Sequence, residues 1–145
     1  MTTRKERWLY GHAAHAATAS KGSTQVGAAL VGPDGEVRLT AYNGPARGVR
    51  DDVPARKERP EKYLWDAHAE ENLINFAARE GIRTRDCAVY VTHMPCARCT
   101  RSMIQAGIGM VVYGPGATQM PPAEFAAARA MAQEAGLMCR PVMVG

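Results

Sequence analysis

Apolar positions recur along the chain in two periods, and the switches between them mark out the elements. Over residues 4 to about 21, Trp8, Leu9, His12, Ala13, Ala16 and Ala19 follow helical spacing, and Ser20-Lys21-Gly22 ends the run with Gly22 as a C-cap. Gln25 to Val31 and Val37 to Tyr42 are apolar runs around Gly32-Pro33-Asp34-Gly35, which reads as a β-hairpin. Asn43 to Gly48 is a loop by composition. Asp66 to Glu80 is the clearest helix, with Ala67, Leu73, Ile74, Ala77 and Ala78 on one side and Gly81 as its stop. Cys87 to Thr92 reads as a buried strand, and Cys96 opens a helix that runs to about Ala106 and is capped by Gly107. Met110 to Tyr113 is a short strand, and Glu124 to about Glu134 is an Ala-rich helix stopped at Gly136. Leu137 to Val144 is a last strand, placed at an edge by Pro141.

The order α-β-β-α-β-α-β-α-β predicts an α/β fold, a sheet covered on both faces. The late strand–helix–strand units imply parallel, right-handed connections. Asp66 and Cys96 then start helices at one end of the sheet, where open α/β folds bind ligands. Residues 49–62 hold Arg50, Asp51, Asp52, Arg56, Lys57, Glu58, Arg59, Glu61 and Lys62, broken by Pro54 and Pro60, with no period. They form a long surface loop with room for a helical turn. Such a loop is either a binding loop or lid, or a solvated insertion.

Composition narrows the class. The chain has 145 residues, 46% of them apolar and 22% charged, which suits one globular domain over residues 1–145. No apolar run approaches the about 18 residues of a membrane span, and no apolar h-region follows the charged N-terminus. The net charge of +4 favours anionic ligands or simply marks a solvated surface. The four cysteines read as two metal thiolates and, at Cys87 and Cys139, two inert core thiols. That usage fits a reducing cytoplasm.

The chemistry lies in His68-Ala69-Glu70 and Pro95-Cys96-Ala97-Arg98-Cys99. His68, Cys96 and Cys99 are three zinc-type ligands, and three protein ligands leave the fourth position open, as in a catalytic site. Glu70 is not needed as a ligand and is free to shuttle protons. Both motifs fall at predicted helix starts, where free N–H groups favour anions and thiolates. Zinc lowers the pKa of a bound water to about 7, which makes hydroxide available for attack on an amino-substituted base. Cys-x-x-C alone is a weak signal and His-x-Glu alone is close to noise. Together, in this order and with Pro95 before the first Cys, they form the pattern of zinc-dependent nucleobase deaminases. Glu71 points elsewhere on the helix, as a surface or packing residue. His93 either lines the substrate pocket or lies on the surface, and His12 and His15 are helix surface or packing residues.

On these residues the chain resembles the cytidine/deoxycytidylate deaminase superfamily, and within it the dCMP deaminase-like branch. Ser23-Thr24-Gln25-Val26-Gly27-Ala28, Ala41-Tyr42-Asn43-Gly44 with Arg47-Gly48, His68-Ala69-Glu70-Glu71-Asn72, and Tyr90-Val91-Thr92 before the Cys motif all look like its segments. The resemblance implies a three-layer α/β/α cytidine deaminase-like fold with a five-stranded mixed sheet whose last strands are parallel. It implies one catalytic zinc ion on His68, Cys96 and Cys99, with Glu70 as proton shuttle. Asn43 is expected to hydrogen-bond the substrate near its sugar, and Arg47 to meet a phosphate. Ala69 and Thr92 are expected to border the base. The implied reaction converts a cytosine nucleotide to the uracil nucleotide, with dCMP to dUMP and ammonia as the favoured assignment. Two alternatives remain: deamination of another aminated base (in a nucleoside, a free base or RNA), or a non-catalytic zinc-containing module that binds nucleic acid. A homo-oligomer is expected by the same resemblance, with a small-molecule nucleotide as partner and no membrane. The chain departs from that branch at Pro45-Ala46, at Ser20-Lys21-Gly22 and in the Gly-Pro-Gly-Ala that follows Tyr113. These departures bear on the substrate and leave the reaction intact.

Overall fold

The computed structural model describes residues 2–143. The first helix, α1 (Arg4–Ala17), opens with a reciprocal cap: the Glu6 amide donates to the Thr3 hydroxyl at 3.1 Å, and the Thr3 amide to the Glu6 carboxylate at 3.4 Å. It stops well before Gly22. The amides of Thr18, Ala19 and Ser20 bond back to His15, Ala16 and Ala17, and the Thr18 hydroxyl donates to the His15 carbonyl at 2.6 Å. This tight turn satisfies the last carbonyls without a glycine cap.

Strands β1 (Gly27–Val31) and β2 (Val37–Tyr42) form the expected antiparallel hairpin. The Gly35 amide closes its turn on the Gly32 carbonyl at 2.9 Å, and Gly35 takes the left-handed φ of +85° that suits glycine. A two-residue strand, β3 (Gly44–Pro45), follows directly. The charged segment then makes a 3₁₀ turn at Pro54–Lys57 and a single helical turn, α2 (Lys62–Trp65). Asp66 and Ala67 do not start the next helix as expected. They form β4 (Asp66–Ala67), drawn into antiparallel pairing with Gly44 and Pro45, so helix α3 (Ala69–Glu80) begins after His68.

The remaining elements are β5 (Ala88–His93), α4 (Ala97–Gln105), β6 (Met110–Gly116), α5 (Pro122–Ala135) and β7 (Met138–Pro141). Strand β6 outruns the predicted Tyr113 because Gly116 still pairs with His93 at the end of β5. Val144, assigned to the last strand from sequence, lies outside the described residues.

The five long strands lie in the order β2-β1-β5-β6-β7, with β5, β6 and β7 parallel and β1 antiparallel to both neighbours. This is the mixed sheet, with its last strands parallel, of a three-layer α/β/α fold. Side chains alternate across β1: Ala28 and Leu30 join Leu73, Ala77, Met103 and Ala132 from α3, α4 and α5, while Ala29 and Val31 join Leu9 and Ala13 of α1. Both faces are thus covered, and all five β1 residues are buried. Strand β7 is an edge, as Pro141 predicts. Cys139 corrects the reading of two core thiols: Cys87 is buried, but Cys139 is exposed, because an edge strand has no neighbour to cover that side.

Helix α1 sits unusually close to β1. A Cβ on Gly27 would overlap the backbone of Ala13 and Ala17. Gly27→Ala is therefore expected to destabilise the fold by about 1–3 kcal/mol, read as a lower denaturation midpoint with an unchanged slope.

Candidate active site

The β3–β4 pairing, the end of β5 and the starts of α3 and α4 meet at one end of the sheet. His68 and Cys96 are the N-caps of α3 and α4, both extended, with φ/ψ of −74°/157° and −76°/174°. An extended cap turns its side chain off the helix axis, and here both side chains turn toward each other. Cys99, one turn into α4, completes the group. His68 Nδ1 lies 3.5 Å from Cys96 Sγ and 3.3 Å from Cys99 Sγ, and all three donor atoms lie within 4.8 Å of one another. A tetrahedral ion with Zn–S of about 2.3 Å and Zn–N of about 2.0–2.1 Å needs S and N about 3.5 Å apart. The donor set therefore fits one zinc ion in size and chemistry. The Cys99 thiol donates a hydrogen bond that pulls the Cys96 thiol far down, and the same bond with burial pushes Cys99 up. A divalent cation binds sulfur as thiolate, so both Cys96 and Cys99 would be deprotonated with the metal in place.

Spending the two N-cap side chains on the metal leaves the helix amides to other groups. The Glu71 carboxylate accepts from the His68 amide at 3.1 Å and from Arg98 at 2.7 Å, which links the start of α3 to the start of α4. Glu71 is thus a structural tie and not a bystander. Arg98 is half exposed, so the pair contributes mainly geometry. At α4, Glu124 of α5 accepts from the Ala97 amide at 3.2 Å.

Glu70 is buried at the start of α3, 4% exposed, on the lining of the pocket that also holds His68, Ala69 and Cys96. Burial pushes its carboxyl up to about 7, opposed by its own backbone N–H and the His68 charge. Ala69 is in place on the lining, as is Asn43. The Asn43 side chain is already engaged. Its Oδ1 accepts from the Val26 amide at 2.9 Å, and its Nδ2 donates to the Thr24 carbonyl at 2.8 Å. Thr92 stands behind the pocket: its hydroxyl accepts from the Gly27 amide at 3.1 Å and lies 2.7 Å from His93 Nδ1. His93 itself lines the pocket, and burial pulls its imidazole down. Arg47 is not brought to the pocket. It is exposed, with its guanidinium 5.0 Å from the Phe76 ring centre, and it borders a broad groove that adjoins the pocket at Asn43, Lys62 and Asp66.

Sequence reasoning gave no site role to Arg59, Lys62 and Tyr63, which line the pocket beside Met94 and Met120. The signal was their position: the charged segment runs directly into the His-x-Glu motif, so its end cannot be far from the metal. Among the described residues, no helix is long and apolar enough to cross a membrane.

Elemental analysis of protein purified under reducing conditions is expected to find one zinc per chain, and none in Cys99→Ala. Glu71→Gln is expected to keep zinc but to hold it about tenfold more weakly in chelator competition, because the His68 cap loses its anchor.

Residues 3–115 match the family described as the cytidine and deoxycytidylate deaminase zinc-binding region. A deaminase encoded in the luxG 3′ region of Aliivibrio fischeri is 42% identical over 89 residues, which cover 61% of this chain and 57% of that protein. Human deoxycytidylate deaminase is 33% identical over 96 residues, covering 63% of this chain and 53% of the relative. The chain spans about half the length of these curated relatives. The crystal structure of dCMP deaminase from cyanophage S-TIM5 in apo form covers 98% of this chain and 100% of its own, with TM-score 0.77. At 20% identity that likeness shows the shared fold. The matched region contains His68, Glu70, Cys96 and Cys99 together, and on that match the chain belongs to the cytidine and deoxycytidylate deaminase zinc-binding family.

Proposed function

We propose that the chain is a single zinc-dependent deaminase domain acting on a cytosine nucleotide, with dCMP as substrate and dUMP and ammonia as products. The observation that carries this reading is the buried Glu70 carboxyl on the same pocket lining as His68 and Cys96. A buried acid without a structural ion pair, next to a three-donor metal set, fits proton transfer. Zinc held by His68, Cys96 and Cys99 supplies a Lewis acid that makes a water-derived nucleophile available at neutral pH. Glu70 takes the proton released from water and delivers one to the ring nitrogen beside the amino-bearing carbon. Once the water oxygen has bonded to that carbon, Glu70 takes the remaining hydroxyl proton and passes it to the amino group. The C–N bond breaks, ammonia leaves, and the carbonyl of the uracil remains. Ala69, on the pocket lining, borders the base, and the wall tied to Thr92 through His93 closes the site against bulk water. Asn43, with hydrogen-bonding capacity left on both amide atoms, borders the sugar.

The relatives support the choice of substrate. Human deoxycytidylate deaminase carries the activity in its name, and the cyanophage enzyme has been solved in complex with dCMP and dUMP. The same reading places the protein in the cytoplasm, where reducing conditions keep both thiols available for the metal, and as a homo-oligomer.

Zinc-loaded protein incubated with dCMP, CMP, deoxycytidine, cytosine, guanine and adenosine is expected to release ammonia fastest from dCMP. Silence on the whole panel rules the reading out. Glu70→Gln is expected to lower kcat by at least about 10²–10⁴-fold while zinc content stays at one per chain. Surviving turnover in that variant removes the proton-shuttle role.

A further inference from the structure

Lys62 is the one lysine of the described residues that is buried, at 8% exposure, and no carboxylate of those residues pairs with it. Its ammonium has one long contact, a 3.5 Å hydrogen bond donated to the Ser23 hydroxyl. Lysines almost never bury fully without a partner, because removing the charge from water is costly. Lys62 lines the pocket that contains Glu70, His68 and Cys96, as does Arg59, and it stands where that pocket meets the broad groove lined by Ser23 and Arg47. Asp66 borders the same pocket without forming an ion pair to it. The pocket therefore combines a metal-and-carboxylate floor with an under-neutralised cationic wall.

We propose that Lys62 is the cation that receives the 5′-phosphate of the substrate, with Arg59 at the exposed rim, and that the charged segment before α3 thereby makes the enzyme select nucleotides over nucleosides. This rests on the deaminase reading above. A lysine serves a phosphate dianion as a compact point charge with three rotatable donors. The Ser23 hydroxyl, already within reach of Nζ, offers a further donor. Arg47, the guanidinium the loop pattern favours for a phosphate, lies over Phe76 on the adjoining groove and not on the lining of this pocket. The single turn α2 is what aims Lys62 inward while Tyr63 and Leu64 on the same turn are left exposed. The alternative role for Lys62 is a stem packed against the loop with its head parked on Ser23. In that case a phosphate on the ligand gains nothing from it.

The test uses the zinc-loaded full chain carrying Glu70→Gln, so that ligands bind without turning over. Calorimetric titration with dCMP and with deoxycytidine gives the affinity ratio that the phosphate confers. Adding Lys62→Gln is expected to weaken dCMP about ten- to a hundredfold and to pull the ratio toward one. Lys62→Arg is expected to keep most of the preference. Inorganic phosphate is expected to compete with dCMP and not with deoxycytidine, a measurement that needs no substitution at Lys62 and stands even where Lys62→Gln fails to fold. An unchanged ratio in folded, zinc-replete Lys62→Gln overturns the proposal, as does phosphate that leaves dCMP binding untouched. So does the reverse ordering, in which Arg47→Gln loses the preference and Lys62→Gln keeps it. Failure of the deaminase reading is distinguishable: unsubstituted protein then releases no ammonia from dCMP, whatever the binding ratio.

Discussion

The arrangement depends on one geometric constraint: two helices must begin at the same point in space, each from an extended residue whose side chain turns inward. His68 and Cys96 meet that constraint as the N-caps of α3 and α4. A helical conformation at either residue would swing its donor atom along the helix surface and open the 3.3–3.5 Å contacts that suit a tetrahedral ion. The sheet provides the registration. Strand β5 delivers Pro95 and Cys96 from the interior, and β4, tied to β3, delivers His68 from the opposite direction in sequence. Each donor is thus fixed by backbone pairing a few residues away, which is how distant residues reach metal-ligand precision without a disulfide.

The constraint has a cost that the fold meets locally. Ser, Thr, Asn or Asp at an N-cap stabilises a helix by about 1 kcal/mol, and neither metal ligand makes that bond. Carboxylates from nearby positions bond other amides at the helix starts, Glu71 that of His68 and Glu124 that of Ala97. Both also sit at the positive end of a helix dipole. The support layer of the metal site is therefore a small set of acids, and through Arg98 it links the two helix starts to each other.

Much of this was legible in the residues. The Pro-Asp-Gly turn declared the β1–β2 hairpin, the apolar runs declared β5 and β6, and left-handed Gly81 and Gly136 stopped α3 and α5 where the pattern placed them. The metal set was legible because its chemistry is specified by residue type and order. Other features were not legible, for physical reasons. Asp66 and Ala67 carry no local signal that Gly44 and Pro45 will pair with them, since a two-residue ladder is a tertiary event. Thr18 ended α1 through side-chain and turn hydrogen bonds that helical periodicity does not register. The segment before α3 has no period, so nothing in it marks Lys62 as the residue turned inward while Lys57 stays exposed. Arg47, expected at a phosphate, stands over Phe76 on the adjoining groove, a contact between residues far apart in the chain that only the folded structure shows.

Asn43 has a further consequence. Its side-chain amide bridges Thr24 and Val26, and the Ser20 hydroxyl donates to its backbone carbonyl at 3.1 Å, so residues 20–26 are fastened to one buried residue. The segment that borders the pocket is thereby latched to the entry of β1, an interior, fully buried strand. Loosening this wall of the pocket and fraying the edge of the core are then a single cooperative event. A substitution at Asn43 is thereby felt by the core as well as by the pocket, whereas the charged segment carrying Lys62 pairs with no strand of the main sheet and can be altered without unpairing one.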